Sequence, residues 1–143
     1  MKIGVDYIGV GCGAFILNEN NELLLQKRNK SPEKGFWSIP GGKLEMLEKF
    51  EDAVKREIKE ETDLDIEIIS LNGICDHIVD IEGEPKVHWV TPSYICRVIK
   101  GTAKIMEPTK HSDMGWFKLE TLPKELTIPT KKALQDLKNN MDK

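Results

Sequence analysis

Three glutamates at positions 57, 60 and 61 constrain this chain more than any other feature. They lie in Leu47 to Thr62, where Leu47, Phe50, Ala53, Val54 and Ile58 follow the 3.6-residue period of an amphipathic helix. Helical residues three and four apart share a face, so Glu57, Glu60 and Glu61 set three carboxylates on one side. Like charges at that spacing repel by roughly 0.2–0.5 kcal/mol per pair on an exposed helix. A solvated face could be eased by Lys49, Lys55, Arg56 and Lys59 alone. The other reading is a bound cation. Mg²⁺ takes hard oxygen ligands, typically a few carboxylates together with substrate phosphates.

The sequence around this helix reads as strands and turns. Tyr7 to Leu17 is apolar and Gly-containing, as expected of a buried strand. Its Ile8 to Leu17 run superficially looks like a signal h-region, but it contains three glycines, follows Asp6 and leads into Asn18-Glu19-Asn20 without a cleavage-like site, so a strand is the expectation. Asn18 to Asn21 is a turn, and Glu22 to Arg28 is the second arm of a hairpin. Phe36 to Ile39 is a short strand broken by Pro40-Gly41-Gly42, where two glycines permit a tight bend and close approach of a ligand. Thr62-Asp63 ends the helix, and a residue there adopts the left-handed conformation, which Gly prefers and Asp tolerates. Ile66 to Ile69, Ile74 to Ile81, Lys86 to Ile99 and Trp116 to Leu119 are strand-like. Pro92 is expected to interrupt its strand with a bulge. Thr130 to Asn140 has helical spacing, with Pro129 near its start and Leu134 and Leu137 facing inward. This order fits a mixed α/β sheet covered by helices.

Composition narrows the options. The chain has 143 residues, enough for one domain, expected to span 1–143. A hydrophobic content of 39% and a charged content of 31% read as soluble and globular. The net charge of −3 argues against long nucleic acid, though not against a nucleotide whose phosphates are met locally. Cys12, Cys75 and Cys96 are widely spaced and odd in number, which implies neither zinc nor a disulfide framework. They read as reduced thiols of a cytoplasmic protein, and no apolar run has the length of a membrane helix.

Gly42 to Leu64 resembles the Nudix box. The family pattern is a Gly, five residues, a Glu, seven residues, Arg-Glu, an apolar residue, any residue, Glu-Glu, any residue, Gly and an apolar residue. Gly42, Glu48, Arg56, Glu57, Ile58, Glu60, Glu61 and Leu64 fall in register with it. Asp63 stands where the family has Gly, and Leu47 stands where it often has another. Both departures bear on backbone shape more than on chemistry. Gly9-Val10-Gly11, Gly35-Phe36-Trp37, Ile39-Pro40-Gly41-Gly42, Glu107-Pro108-Thr109-Lys110, Trp116 and Leu122-Pro123 extend the likeness to MutT-like nucleoside-triphosphate pyrophosphatases. In close relatives that tetrad tends to be Glu-Pro-Glu-Lys, so Thr109 removes one acid.

The resemblance implies a Nudix-type α/β/α sandwich with a mixed sheet. It implies Mg²⁺ as the cofactor, with Mn²⁺ as a substitute, held by Glu57, Glu60, Glu61 and the Gly41 carbonyl. Arg56 would pair with Glu48 and brace loop against helix, because a planar guanidinium fork suits a carboxylate. For Glu48 alone, the bland reading is a helix N-terminal acid favoured by the helix dipole, and the two readings are compatible. A box glutamate, Glu57 first, or an acid from a later loop would take the proton of the attacking water. Gly42, Lys43, Arg28, Trp37 and His88 are the candidate substrate contacts. His77 and His88 flank the Glu82–Pro85 turn and could face each other across a hairpin. Trp37, Trp89, Trp116, Phe36 and Tyr94 are candidates for stacking a base, or else core.

The leading expectation is hydrolysis of a nucleoside triphosphate to the monophosphate and pyrophosphate. ADP-ribose or nucleotide-sugar pyrophosphatases often carry a Pro about sixteen residues after the box, where this chain has Asp80. A catalytically silent nucleotide-binding module is the reading from another class. The expected partner is a nucleotide, with no membrane, and a homodimer stays open.

Overall fold

The computed structural model describes residues 1–141; residues 142 and 143, the last of the expected domain, lie outside them. Strand β1 (Gly9–Leu17) carries an alternating pattern into two separate cores. Cys12, Ala14 and Ile16 face one side of the sheet, and Phe15 and Leu17 face the other. Burial on both faces explains its unbroken apolar composition. Strand β2 (Glu22–Arg28) repeats the division, with Leu24 on the first face and Leu23 and Leu25 on the second. The turn between them closes on Asn18, whose Oδ1 accepts the backbone N–H of Asn20 and Glu22, each at 2.9 Å.

The sheet has seven strands. Its main order is β3 (Trp37–Ser38), β2, β1, β6 (Val87–Lys100), β5 (Asp65–Val79). Strand β4 (Gly41–Lys43) pairs with β1, and β7 (His111–Lys118) pairs with β2. The β1–β6 pair is parallel and the other pairs are antiparallel, so the sheet is mixed. Helix α1 (Phe50–Thr62) covers one face through Ala53, Val54 and Ile58. Helix α2 (Ile128–Met141) belongs to the core on the other face, where Ala133 is buried and Leu134 and Leu137 pack at the margin. The α/β/α sandwich is therefore present.

Packing rather than capping places α1. Its N-cap, Lys49, makes no side-chain cap bond, an omission worth about 1 kcal/mol. Burying Val54 and Ile58, 1% and 0% exposed, contributes roughly 3–6 kcal/mol together. The helix ends at Asp63, in the left-handed region with φ 63°, and its N–H reaches the Lys59 carbonyl at 3.1 Å.

Several boundaries differ from expectation. Helix α1 starts at Phe50 because Leu47 has a positive φ of 67° and lies outside the helix, almost fully exposed. The two strands expected at Ile66–Ile69 and Ile74–Ile81 are one long β5, which ends at Val79, short of Asp80 and Ile81, and whose register shifts between Ile68 and Ser70 and between Leu71 and Gly73. The irregularity expected at Pro92 is thus carried by the neighbouring strand. Pro92 itself sits opposite Ile74 in a continuous β6. Its missing donor falls where β1–β6 pairing lapses, between Val10↔Val90 and Gly13↔Ser93. Strand β7 begins at His111, five positions before the expected Trp116, because β2 supplies a partner along that whole length.

Candidate active site

The Pro40-Gly41-Gly42 bend brings β4 against β1 in the register Gly13↔Gly41, Cys12↔Gly42 and Gly11↔Lys43. Glycine is required at Gly41 by backbone and at Gly42 by the position of one side chain. A Cβ on Gly41 would lie 2.1 Å from the Cys12 carbonyl oxygen, and one on Gly42 would lie 2.2 Å from the Glu57 carboxylate. These approaches dock the strand onto the acidic face of α1. The Gly41 N–H donates to Glu61 Oε1 at 2.9 Å.

The three glutamates occupy different environments. Glu61 is only 5% exposed. Burial pushes its carboxyl pKa up to about 8, against the opposing pull of the Gly41 N–H. Glu57 is raised by burial, partly offset by its bond to Arg56. Glu60 is more open, with its side chain 54% exposed.

Arg56 ties the acids together. Its Nε and Nη2 form a fork on Glu48, at 2.7 and 2.8 Å. Its Nη1 donates to Glu57 at 2.9 Å and to Glu60 at 3.3 Å, and Nη2 also reaches the Lys43 carbonyl at 3.2 Å. The hydrogen bond from Arg56 holds the Glu48 carboxyl below its ordinary pKa, and the same pair raises that of Arg56.

These residues line a cleft of about 670 Å³, a volume suited to a small organic ligand. Glu57, Glu60, Glu61, Arg56, Gly41, Gly42 and Lys43 form one side. The facing side carries Arg28, Lys110 and His111, brought together by the pairing of β2 with β7 in the register Arg28↔His111. Arg28 spends its Nε on the Pro32 carbonyl at 2.7 Å, and burial lowers its pKa. Lys110 is raised by its bond to Glu107. The His111 ring is buried and pushed down to about 4. Its Nε2 lies 3.6 Å from Glu61 Oε2, and its Nδ1 has no partner among the described residues. Gln26, 1% exposed, lines the same floor with Oε1 unpartnered.

Among the described residues, no three His, Cys, Asp or Glu side chains form a closed metal cage. The donor set still suits a hard divalent cation. Glu57, Glu60 and Glu61 offer carboxylate oxygens on one helix face, and Glu61 is a buried acid whose charged form the Gly41 N–H compensates only in part. Mg²⁺ is commonly held in open sites of this kind, where substrate and water complete the shell.

Two expected substrate contacts lie elsewhere. Trp37 does not line the cleft; it packs edge-on against Phe117 at 5.0 Å, within the α2-side core. His88 does not line it either. The register sets Ile78 opposite His88 and Trp89 opposite His77, so the two histidines fall on opposite faces instead of facing each other. Of the aromatic candidates, Trp89 lines the cleft, while Trp116 and Tyr94 pack on the α1-side core. Lys110 was visible in the sequence only as the end of a tetrad. Gln26 and His111 carried no local signal, because cross-strand pairing is what places them.

The sheet order, the acidic α1 face and the glycine bend together make a Nudix-type arrangement. Residues 8–137 match the NUDIX domain family, and the chain belongs to it. It is 36% identical over 121 residues to an ADP-ribose pyrophosphatase of Methanocaldococcus jannaschii, covering 85% of this chain and 68% of that protein. It is 29% identical over 129 residues to a putative 8-oxo-dGTP diphosphatase of Bacillus subtilis, covering 89% and 79%. The crystal structure of a MutT NUDIX hydrolase from Burkholderia pseudomallei superposes with a TM-score of 0.83 at 42% identity, covering 92% of this chain and 99% of that one. The chain is accordingly a Nudix hydrolase, of the enzyme class that cleaves acid anhydrides. No helix among the described residues is long and apolar enough to cross a membrane.

Proposed function

We propose that the chain hydrolyses a phosphoanhydride bond of a nucleoside triphosphate, with Mg²⁺, to a nucleoside monophosphate and pyrophosphate. The observation that carries this reading is one cleft with an acidic helix face on one side and Arg28, Lys110 and Lys43 around it. An anionic chain of phosphates fits between the two only if a cation offsets the glutamates. Glu57, Glu60, Glu61 and the Gly41 carbonyl would hold that cation. When bound, the metal would neutralise phosphate charge and lower the pKa of a bound water.

The remaining roles belong to the chain's own side chains. Arg56 fixes Glu57 and Glu60 from behind and is itself anchored on Glu48. Arg28 and Lys110 pair with phosphate oxygens, and Gly42 lets the substrate approach the backbone. Glu57, half-buried with a raised pKa, is suited to take a proton from the attacking water.

A second reading shares the chemistry. In ADP-ribose the same bond type would yield AMP and ribose 5-phosphate, and the archaeal relative's name favours it. Retention of Glu57, Glu60 and Glu61 in one cleft speaks against a silent binding module. The test is a panel of canonical and oxidised nucleoside triphosphates, ADP-ribose and sugar nucleotides, assayed with Mg²⁺ or Mn²⁺ for the phosphate species released. Pyrophosphate as a product supports the first reading, ribose 5-phosphate supports the second, and no turnover on any member refutes both.

A further inference from the structure

In the lining of the cleft, Glu33 from the loop after β2 and His77 from β5 form a largely buried pair that the hydrolytic roles leave unused. Both line the cleft. Glu33 Oε1 lies 2.8 Å from His77 Nε2, and Glu33 Oε2 accepts the Ile128 N–H at 2.8 Å, at the start of α2. The side chains are 9% and 15% exposed. Glu33 has a left-handed φ of 59°, a conformation that a Glu adopts only when its surroundings hold it there. Among the described residues, His77 Nδ1 has no hydrogen-bond partner, and it is not shut away from solvent.

These contacts determine the tautomer of a neutral ring. A carboxylate with both oxygens engaged can only accept, so Nε2 carries the proton and donates to Glu33. Nδ1 is then a lone-pair acceptor in the wall of a nucleotide-sized cleft. We infer that the Glu33–His77 pair is a specificity device: Nδ1 accepts a hydrogen bond from an N–H or O–H donor on the nucleoside end of the substrate. The donor is either an exocyclic amine of the base or a sugar hydroxyl. This inference rests on the nucleotide reading above and goes beyond it by naming what this part of the lining selects.

Glu33→Gln tests it without removing any contact. The Gln Oε1 must take the Ile128 N–H, because its NH₂ there would set two donors face to face. The NH₂ group is left against His77 Nε2 and donates to it. The imidazole proton then moves to Nδ1, and the acceptor in the wall becomes a donor.

The assay is calorimetric binding of nucleoside monophosphates in alkaline buffer with EDTA, so that neither turnover nor metal affinity enters. AMP is compared with IMP and CMP with UMP to exchange amine for carbonyl. AMP is compared with its 2′-deoxy and 3′-deoxy forms to remove a sugar hydroxyl. The wild type is expected to favour the member bearing the exocyclic amine or the sugar hydroxyl in at least one pair by on the order of tenfold, and a preference for IMP or UMP, whose only base donor there is a ring N–H, would count against the amine. A preference in the base pairs assigns the amine, and one in the deoxy pairs assigns the hydroxyl. Glu33→Gln should erase or reverse the preference, and His77→Phe should level it. His77→Phe leaves the Glu33–Ile128 bond in place, so it decides the matter even if Glu33→Gln folds poorly. Equal affinities throughout in the wild type, or the same preference in wild type and His77→Phe, would overturn the inference. A wild type that binds selectively yet hydrolyses nothing would sink the proposed reaction and leave the role of the pair standing.

Discussion

Glu61→Gln is expected to stabilise the metal-free protein while removing its activity. The carboxyl is 5% exposed, with a pKa raised from 4.5 to about 8, first by burial. Between those values the folded chain binds the proton more tightly than the unfolded chain. By linkage, stability therefore falls as pH rises from about 4.5 to about 8. At pH 7 the cost relative to a side chain that never ionises is ~3 kcal/mol, counting 1.36 kcal/mol per pH unit above the unfolded value. Gln keeps the shape and can still accept the Gly41 N–H through its Oε1. For a chain of this length, ~3 kcal/mol corresponds to a rise in Tm of roughly 6–12 °C. The advantage should shrink to below ~1 kcal/mol at pH 5, where the unfolded glutamate is itself mostly still charged but only just past its midpoint.

The assay is differential scanning fluorimetry from pH 5 to 8.5 in EDTA and again with excess Mg²⁺ or Mn²⁺. In EDTA the variant should melt higher, by a margin that grows with pH. With metal, the wild type should gain and the variant should not, since binding to the folded state alone raises stability. Turnover of the variant should fall by at least about a hundredfold, the scale of losing a group that stabilises transition-state charge. A variant that melts at or below the wild type in EDTA at pH 7.5 would refute the reasoning about the buried charge. A variant that gains as much from Mg²⁺ as the wild type would refute Glu61 as a ligand.

Substitutions at three further positions probe the scaffold around it. Arg56→Lys should lower both kcat and Tm, because a single ammonium cannot reproduce the fork on Glu48 and also reach Glu57; lost activity at unchanged Tm would move Arg56 to the substrate instead. Gly42→Ala should displace the Glu57 carboxylate, which lies 2.2 Å from the new Cβ, and cut kcat by on the order of tenfold with Tm shifted by less than about 3 °C; wild-type kcat would show that Glu57 can move without consequence. Asp63→Gly should keep turnover and Mg²⁺ dependence, whereas Asp63→Val should lower Tm, because a β-branched residue resists a φ of 63°; weakened Mg²⁺ activation in Asp63→Gly, read from rate against metal concentration, would give Asp63 a part in the site.

What could be read from the sequence was local. The acidic face of α1, the bend at Gly41-Gly42 and the left-handed Asp63 each depend on residues within a turn or two of one another. Helical period and glycine geometry therefore reveal them. Asp63 pairs with Lys59 at 3.5 Å and Lys104 at 3.6 Å and does not line the cleft, in keeping with a role in backbone shape. The opposite wall was not legible. Arg28 meets His111 through a register shift between Lys27 and Arg28, and no local pattern announces a shift of that kind. The same limit misplaced Trp37 and His88. Which face a strand residue takes is decided by its pairing, and a slip of one position reverses it. Glu33 shows the limit most clearly, since its partners His77 and Ile128 come from β5 and the start of α2.

The parallel join between β1 and β6 has a consequence for how the chain assembles during synthesis. Every paired β1 residue meets the residue 80 positions further on, from Gly9↔Trp89 to Leu17↔Arg97. Until Val87–Lys100 has been made, one edge of β1 stays bare, and an unpaired apolar edge invites pairing with other chains. The acidic half of the cleft is free of that delay. Gly41 and Glu61 are close in sequence, and α1 can settle on Cys12, Ala14 and Ile16 once the first 62 residues exist. Lys110 and His111 arrive only with β7, after β6, and Ile128 secures Glu33 later still. A nascent chain thus holds its carboxylates in place well before Lys110 and His111 join Arg28, and it acquires a complete cleft only when the last strand and helix dock.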